Sequence, residues 1–359
     1  MAKHKHDAKS LQHAFIRCAE LASSGRVLDL GWGGEPFVAA CPMGDSEVCF
    51  VSDDIRPVRC SDSTGVASYH LISPAKVPGL FRSAFYHPAG PAAKGQVFHW
   101  VDVSFNKLEL GATLYLAGQK DRGVLSYVKY VESVFGQVKR IGRTGRMQYF
   151  SATKTHKDPG IAPTDIEHLL EASDLPGDAL QFKTLDGVFS RDGIDPGSRI
   201  LLEQVTVAHD AHVMDVGCGY GLLGIACAKW VPNGHVWLGD ISARAVVCAQ
   251  DNVVKNKIYN ASVGVSDVYE FAANQQFDLI LSNPPFHEGN KTSWPLIDGA
   301  LERLKPGGEL MIVVMRTGAY VKRMQAVFGD VEVCAETSGY SVLRATKKNV
   351  NELGTEGRC

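Results

Sequence analysis

Apolar and polar positions alternate in blocks along residues 212–314, and the blocks predict strands and helices in turn. Five short apolar runs bounded by turn residues predict strands, namely HVMDVG, HVWLGD, ASVGV, FDLILSN and GELMIVV. The segments LLGIACAKW and SARAVVCAQDNVVKN have helical periodicity, and Ser242 is a suitable N-cap for the second. This alternation predicts an α/β fold with a doubly wound, Rossmann-like sheet that binds its ligands beyond the carboxyl ends of the strands.

The two halves of the chain repeat one another. The segment YVKYVESVFGQV begins at Tyr127, and the similar YVKRMQAVFGDV begins at Tyr320. The tripeptide ATK follows each of them, and RVLDLGWGGE and HVMDVGCGYG precede them. Matches at three places in the same order, each offset by roughly 190 residues, predict a duplicated domain.

The expected organisation is two tandem Rossmann-like domains with a linker between them. Pro-Gly pairs at 159–160 and 176–177 punctuate the chain between the two copies. We therefore predict a first domain over residues 1–155, a linker over 156–186 and a second domain over 187–359.

Composition and charge narrow the class of protein. The 359 residues are 45% apolar and 21% charged, which is typical of a soluble globular protein with room for two domains. No apolar run approaches the ~18 to 20 residues of a membrane span, and MAKHKHDAKS is not a secretory signal. Nine cysteines without a CxxC pair favour reduced thiols, so we expect a cytoplasmic protein. The net charge of −2 leaves room for a local basic patch but not for a uniformly basic coat.

A glycine-rich turn joins the first strand of the second copy to its first helix. In DVGCGYGLLG, which begins at Asp215, the residues Gly217, Gly219 and Gly221 allow a tight turn and a close approach to a ligand. Asp240, at the end of the next strand, is placed to accept hydrogen bonds from ribose hydroxyls. Because the loop also satisfies the dinucleotide pattern GxGxxG, it predicts either NAD or S-adenosylmethionine.

The fourth strand ends in the unusual turn SNPPF. Two prolines remove two backbone donors and fix two φ angles, so Asn283 lies in a stiff, extended frame. An aromatic or amide NH₂ is a poor nucleophile because its lone pair is delocalised. Hydrogen bonds to the Asn283 side-chain oxygen and the Pro284 carbonyl would orient such an amine, and Phe286 offers a face for a base to stack on. The turn therefore holds two rigid acceptors beside an aromatic ring, and a grip on an NH₂ group is what the family resemblance described next implies.

These residues resemble the class I S-adenosylmethionine-dependent methyltransferases that act on exocyclic or amide nitrogens. In that family the glycine loop holds the methionine part of the cofactor, and acids after the second and third strands hold the ribose and the adenine. The resemblance implies S-adenosylmethionine as cofactor, no metal, and catalytic roles for Asn283, Pro284 and Phe286. The implied cofactor-binding residues are Asp215, Gly217, Gly219, Gly221, Asp240, Asp267 and Asn283.

Longer segments are similar to bacterial ribosomal RNA guanine-N2 methyltransferases: GVFSRDGIDPGSRILLEQV, NPPFHEGNKTS and FGDVEVCAETSGYSVLRA. That family joins a degenerate N-terminal copy to a catalytic C-terminal copy, and SRDGIDPGS and HEG favour its small-subunit (16S) branch over its large-subunit (23S) branch. The resemblance implies methyl transfer to a guanine N2 amine in ribosomal RNA, within a small subunit or an assembly intermediate, by a monomer. One departure is Val314-Met315, where the family usually has Ala-Asn.

The same resemblance implies which residues meet the substrate. It places Phe189 and Arg191 near the cofactor and the target base, and Phe286 and His287 against the target nucleotide. A purely packing role for residues 189–191 is the alternative, and His287 with Glu288 is an alternative acid/base pair. The guanine must be unpaired or flipped outward to be reached.

The first copy lacks several of these parts. Trp32 lies in its glycine loop, and no Asn-Pro-Pro-aromatic sequence occurs before residue 150, although Asp53 is the expected counterpart of Asp240. We predict a non-catalytic domain that helps to hold RNA or stabilises the active half.

One basic run in the first copy is the best candidate for RNA contact. KRIGRTGRMQYFSATKTHK has six Lys/Arg residues and no acid, and it contains Arg143 and Arg146. Tyr149 and Phe150 are expected to be available for stacking on bases. A solvated basic face is the alternative.

Other functions share parts of the pattern. A methyltransferase acting on protein glutamine or adenine N6 uses the same grip, and a 23S enzyme would use the same fold. A catalytically silent RNA-binding ribosome-assembly factor would fail to bind S-adenosylmethionine, and a dehydrogenase would bind NAD.

Overall fold

The fold consists of two compact units, Met1–Ile166 and Glu167–Cys359. In this computed structural model the structure describes residues 16–22, 24–32, 46–62, 66–88, 93–157, 167–173, 179–285, 290–315, 317–337 and 339–348. Within those ranges no helix combines the length and apolar character needed to cross a membrane.

The first unit is built on a seven-stranded sheet in the order β3-β2-β1-β4-β5-β7-β6. The strands are β1 (Val27–Trp32), β2 (Val48–Ser52), β3 (Ala67–His70), β4 (Phe81–His87), β5 (Leu108–Gln119), β6 (Val138–Thr144) and β7 (Met147–Thr153). The helices are α1 (Ile55–Asp62), α2 (Lys94–Lys107) and α3 (Val124–Phe135), after a short helical segment at residues 16–21. The first five strands are parallel, and β7 runs antiparallel to both β5 and β6.

The second unit begins with a hairpin and then repeats this architecture. Its strands are β8 (Glu167–Ala172), β9 (Leu180–Leu185), β10 (His212–Val216), β11 (His235–Asp240), β12 (Ala261–Val265), β13 (Phe277–Ser282), β14 (Leu304–Val314), β15 (Glu332–Thr337) and β16 (Tyr340–Thr346). Its helices are α4 (Pro196–Glu203), α5 (Leu222–Trp230), α6 (Ala243–Lys255), α7 (Asn290–Arg303) and α8 (Thr317–Phe328). The large sheet has the order β12-β11-β10-β13-β14-β16-β15, which matches the first unit position by position.

The sheet of the second unit is buried on both faces. Leu279 and Leu281 of β13 belong to one apolar core together with α5, whereas Ile280 belongs to another together with α7 and α8. Strands covered on both sides are apolar at most positions, which is why the five predicted strands are nearly continuous apolar runs. The predictions of a doubly wound α/β fold and of two tandem Rossmann-like domains are confirmed.

The repeated tripeptide ATK has the same structural task in both units. The Lys154 ammonium donates to two carbonyl oxygens where α2 runs into β5, at 2.8 Å each. The Lys347 ammonium donates to two carbonyl oxygens where α7 runs into β14, at 2.7 Å each. Carbonyls at a helix end lack partners within the helix, so each lysine satisfies groups that would otherwise be left without a donor.

The stretch predicted as a linker over 156–186 contains part of the second unit. Strands β8 and β9 pair antiparallel, and two asparagines, one in α6 and one directly after it, bind the backbone of β9. Asn252 Oδ1 accepts from Lys183 N at 2.7 Å and its Nδ2 donates to Lys183 O at 2.8 Å. Asn256 pairs in the same way with Gln181, at 3.0 and 2.7 Å. Each asparagine makes the two backbone hydrogen bonds that a neighbouring strand would make, which ties the hairpin to the second unit. The two units accordingly divide at 166–167.

Candidate functional site

A cavity of about 310 Å³ lies at the carboxyl ends of β10, β11, β12 and β13. The predicted residues Gly217, Gly219, Asp240, Asp267 and Asn283 line it. Pro284 and Phe189 also line it. The cavity is therefore at the edge of the sheet where an open parallel α/β fold binds its ligands, and its volume is that of a small-molecule site.

The glycines of the loop after β10 have two different tasks. Gly217 and Gly219 have φ values of 72° and 55°, and a Cβ added to either would meet no protein atom within 4 Å. Both line the cavity, so side chains there would occupy ligand space. Gly221 is the N-cap of α5 and does not line the cavity, and a Cβ there would lie 3.1 Å from Ile225. Two glycines form an open cradle, and the third permits close packing.

Asp240 fixes the glycine loop to the end of β11. Its Oδ2 accepts from Gly219 N and its Oδ1 accepts from Ser242 N, both at 2.9 Å. A carboxylate accepts several hydrogen bonds, which suits Asp240 to a ligand that carries ribose hydroxyls. The acid is thus held in place before any ligand arrives.

Asp215 lies beneath the loop and does not line the cavity. Its side chain is fully buried, and Oδ2 accepts from Gly224 N at 2.8 Å. Its Oδ1 has no hydrogen-bond partner within the described part of the chain. Burial raises the pKa of Asp215 to about 7, and the nearby charge of Asp240 adds to the effect while the Gly224 N–H opposes it. Asp215 thus supports the loop from below, and its cofactor-binding role stays a prediction.

The turn after β12 carries backbone strain at the cavity wall. Val268 lines the cavity with φ of 55°, a left-handed conformation that is rare for a β-branched residue. Ser266 holds the turn, since its Oγ donates to Val268 O at 2.9 Å and accepts from Phe271 N at 3.1 Å. This turn places the neighbouring Asp267 at the cavity. Strained backbone conformations that surrounding contacts hold in place are common at functional sites.

Asn283 lines the cavity, and its side-chain oxygen has no hydrogen-bond partner among the described residues. Its Nδ2 donates to Asp195 Oδ2 and to Ser198 Oγ, each at 2.8 Å. Because a carboxylate only accepts, the amide nitrogen must face Asp195, and Oδ1 must face the other way. That oxygen is buried and accepts no hydrogen bond from any residue that the structure describes. A buried acceptor without a donor is costly, so its presence indicates a place for a hydrogen-bond donor from outside these residues.

The start of α4 holds the partners of this amide. Asp195 is the N-cap and accepts from Ser198 N at 2.8 Å, and Pro196 follows at the first helical position. Gly197 has no room for a Cβ, which would lie 2.7 Å from the Tyr340 ring. The Tyr340 hydroxyl donates to Asp195 Oδ1 at 3.3 Å. Sequence reasoning assigned no role to these residues, although Asp before Pro and Ser at the head of an apolar helix is an N-cap signal.

The loop between β9 and α4 separates two residues predicted to meet the substrate. Phe189 lines the cavity with 57% of its surface exposed. Arg191 does not line the cavity, and its guanidinium pairs with Asp186 at 2.6 Å and Asp192 at 3.3 Å. Its carbonyl also accepts from Thr184 Oγ1 at 3.0 Å. Phe189 is available for contact with a base, whereas Arg191 anchors the loop that carries it.

Some predicted residues lie outside the described part of the chain. These are Phe286 and His287, together with Glu288. Their roles remain predictions.

Strand register shows how the first unit differs at the matching positions. Val27 pairs with Val48 as Val213 pairs with Val236, so Ser52, not Asp53, takes the place of Asp240. The predicted correspondence of Asp53 is therefore wrong by one residue, and its Oδ2 accepts from Gln96 Nε2 at 3.0 Å.

Register also identifies the first-unit counterpart of Asn283. Asp29 pairs with Phe85 as Asp215 pairs with Leu281, so His87 occupies the place of the asparagine. Its Nδ1 lies 3.2 Å from Ala117 O, and burial lowers the pKa of His87 to about 4. The neutral ring donates to that carbonyl and does not present an amide acceptor.

The basic run of the first unit forms the β6–β7 hairpin. Arg143 and Arg146 are exposed there, and Arg146 pairs with Asp121 at 2.8 Å. Tyr149 and Phe150 are only 4% and 5% exposed. The prediction that these rings stack on bases is wrong, because β7 lies between β5 and β6 and is covered on both faces.

Comparisons with known proteins agree with this geometry. The family model of the methyltransferase small domain matches residues 179–344. A ribosomal RNA small subunit methyltransferase C of Pectobacterium atrosepticum is 32% identical over 286 residues, which are 78% of each chain. The protein of the same name from Escherichia coli O7:K1 is 42% identical over 172 residues, covering 47% of this chain and 50% of its own.

A solved structure supports the fold over nearly the whole chain. The 16S rRNA N2 methyltransferase RsmC of T. thermophilus, in complex with AdoMet and guanosine, has a TM-score of 0.84 and 24% identity, covering 93% of this chain and 92% of its own. The resemblance inferred from the motifs is confirmed by the relatives named above. The chain belongs to the family of ribosomal RNA small subunit methyltransferase C.

Proposed function

We propose that the second unit transfers a methyl group from S-adenosylmethionine to the exocyclic N2 amine of a guanine in 16S ribosomal RNA. The observation that carries the proposal is the bare Oδ1 of Asn283, whose amide nitrogen is held by Asp195 and Ser198. An acceptor fixed in this way, in a cavity wall, suits a ligand that brings an N–H group. Family membership supports the same reaction.

The cavity fits the cofactor on three counts. Gly217 and Gly219 leave a cradle that side chains would fill, Asp240 places a carboxylate at the end of β11 as a ribose acceptor, and Asp267 lines the cavity from the next strand end. S-adenosylmethionine supplies a methyl group that is already activated by its attachment to a sulfonium. The chain therefore has to orient the amine and exclude misaligned approaches.

The residues on the substrate side act by orientation. Asn283 Oδ1 accepts from one N–H of the guanine amine, and we assign the Pro284 carbonyl as the second acceptor. Two acceptors pull the NH₂ out of conjugation with the ring and aim its lone pair, at no reorganisation cost because the turn is already rigid. The nitrogen sheds its proton after it has gained the methyl, so Asn283 need not act as a base. Phe189, exposed at the cavity, offers a face to the base.

The first unit supplies RNA contact rather than chemistry in this proposal. Its edge strand β6 exposes Lys139, Arg140 and Arg143, whereas the matching edge strand β15 of the second unit exposes Glu332 and Glu336. Since both strands hold the same place in the same topology, the fold does not require the positive charge. We assign it to the phosphate backbone, on a small subunit or an assembly intermediate bound by a monomeric enzyme.

The proposal is tested with methyl-labelled S-adenosylmethionine. Unmodified small subunits, large subunits and their naked RNAs are offered separately and then digested to nucleosides. We expect N2-methylguanosine from the small-subunit samples. Label in adenosine, label only in the large-subunit samples, or label in a protein glutamine would each contradict the proposed substrate.

A further inference from the structure

We infer that Asp195 is a positioning residue that sets which end of the Asn283 amide faces the substrate, an inference that rests on the proposed function. The oxygen and nitrogen of an asparagine amide are nearly equal in size, so shape alone does not fix their places. Hydrogen-bond partners must do so. At this site the two partners are a carboxylate and a hydroxyl, each 2.8 Å from Asn283 Nδ2.

Only one of these partners discriminates between the two orientations. The Ser198 hydroxyl can donate or accept, so it would tolerate either the oxygen or the nitrogen of the amide. The Asp195 carboxylate only accepts, and a flipped amide would bring oxygen against oxygen. Asp195 therefore holds the nitrogen, and Oδ1 of Asn283 is left without a partner among the described residues.

Asp195 is itself immobilised. It is 8% exposed, and its Oδ2 caps α4 by accepting from Ser198 N at 2.8 Å. Its Oδ1 accepts from the Tyr340 hydroxyl at 3.3 Å, which Gly197 permits by leaving space for the ring. A fixed carboxylate gives a fixed amide, which is what preorganised recognition of an amine requires.

The orientation of the amide matters because only its oxygen can accept a hydrogen bond from the target amine. With Oδ1 toward the cavity, Asn283 accepts from the target N–H. With Nδ2 toward the cavity, two donors would face each other and the amine would be misdirected. Loss of the carboxylate at 195 therefore lowers the fraction of enzyme that is ready to react, without changing the cofactor cradle at Gly217 and Gly219.

The matched variants are Asp195→Asn and Ser198→Ala. Asparagine caps helices about as well as aspartate, so D195N retains the start of α4 but offers either an oxygen or a nitrogen to Asn283. We expect the kcat of D195N to fall about tenfold or more, with the Kd for S-adenosylmethionine unchanged. S198A removes the partner that does not discriminate and should lose less activity than D195N.

A double variant in which the carboxylate and the amide exchange places distinguishes a positioning role of Asp195 from a general structural role. N283D sets two carboxylates against each other and should be nearly inactive. In the double variant D195N/N283D, the introduced amide can donate to the introduced carboxylate, which restores an oriented acceptor. We expect the activity of the double variant to exceed that of N283D alone by about tenfold or more. A double variant no better than N283D would overturn the inference.

A readout without substrate or cofactor completes the test. The side-chain NH₂ signal of Asn283, assigned by its absence in N283A, should exchange slowly with water in the wild type and rapidly in D195N. Equal exchange in the two proteins would overturn the positioning role. If the wild type itself places no label in guanosine, the proposed function fails, and the exchange measurement still decides whether Asp195 orients the amide.

Discussion

The side-chain nitrogen of Asn283 lies 2.8 Å from a carboxylate oxygen of Asp195, across 88 residues of sequence. One of these residues ends a buried strand, and the other caps a helix that precedes the whole sheet of the second unit. Their contact leaves the oxygen of Asn283, a residue that lines the cavity, without a partner in the part of the chain that the structure describes. The Pro-Pro turn fixes the backbone of Asn283, and the carboxylate of Asp195 fixes the orientation of its side-chain amide.

Replacing Asp240 by alanine should weaken cofactor binding. The change removes the predicted ribose acceptor and two hydrogen bonds to the loop backbone, each at 2.9 Å. Hydrogen bonds to charged groups contribute about 1.5 to 3 kcal/mol, so we expect the Kd for S-adenosylmethionine to rise about tenfold to a hundredfold by calorimetry. Asp53→Ala in the first unit is the control and should leave the Kd unchanged. An unchanged Kd for D240A would remove Asp240 from the ribose role.

Gly217→Ala should affect binding beyond its effect on stability. Gly217 and Gly329 both have positive φ, and a Cβ added to either meets no protein atom within 4 Å. Alanine at either position should therefore destabilise the fold by about 1 to 2 kcal/mol. Only Gly217 lines the cavity, so only G217A should also weaken cofactor binding. Equal Kd values for the two variants would place the ligand elsewhere.

The exposed arginines of the β6–β7 hairpin should govern the salt dependence of RNA binding. Removing one side chain that binds a phosphate reduces the slope of log K against log salt by about 1, so R143A/R146A should lower the slope by up to about 2. Arg82, which pairs with Glu109 at 3.3 Å, provides the control variant R82A in the same unit. Identical slopes for wild type and double variant would make the hairpin a solvated basic face.

Asp215 should make stability depend on pH in a defined direction. Its pKa rises from 3.8 to about 7 in the folded chain, because burial disfavours the charged form. Between these values the unfolded chain loses the proton while the folded chain keeps it, so the free energy of unfolding falls as pH rises. Between pH 5 and pH 8 the loss attributable to this group is about 3 kcal/mol at most.

Urea unfolding of wild type and Asp215→Asn checks this dependence. The difference between the two free energies of unfolding cancels the other titrating groups. It should shift in favour of the variant as pH rises from 5 to 7 and then level off. A difference that stays constant with pH would show that Asp215 is charged in the fold.

Much of the second unit could be predicted because its signals are local. Continuous apolar runs marked β10 to β14, and the glycine and proline turns marked the ends of strands that meet at the cavity. Ser242 was predicted as an N-cap from its position alone, and its hydroxyl accepts from Ala245 N at 3.3 Å.

The remaining features depend on contacts that no local pattern contains. Asp195 and Asn283 meet only when α4 packs against β14 and β16, the strands beyond β13 in the sheet. Arg191 resembles a substrate ligand in sequence, but the acids that pair with it are set by the fold of the loop. Tyr149 and Phe150 lie in a basic run, yet β7 is an interior strand and both rings are buried.

The most direct test of the account is single-turnover methylation by Asn283→Ala on small-subunit RNA substrate, with the Kd for S-adenosylmethionine measured alongside. Asn233→Ala, an exposed asparagine before β11, is the matched control and should behave as wild type. Loss of the oriented acceptor should reduce the rate of N2-methylguanosine formation by about a hundredfold to a thousandfold, while the Kd changes little. A rate equal to that of the wild type would contradict the assigned grip on the guanine amine.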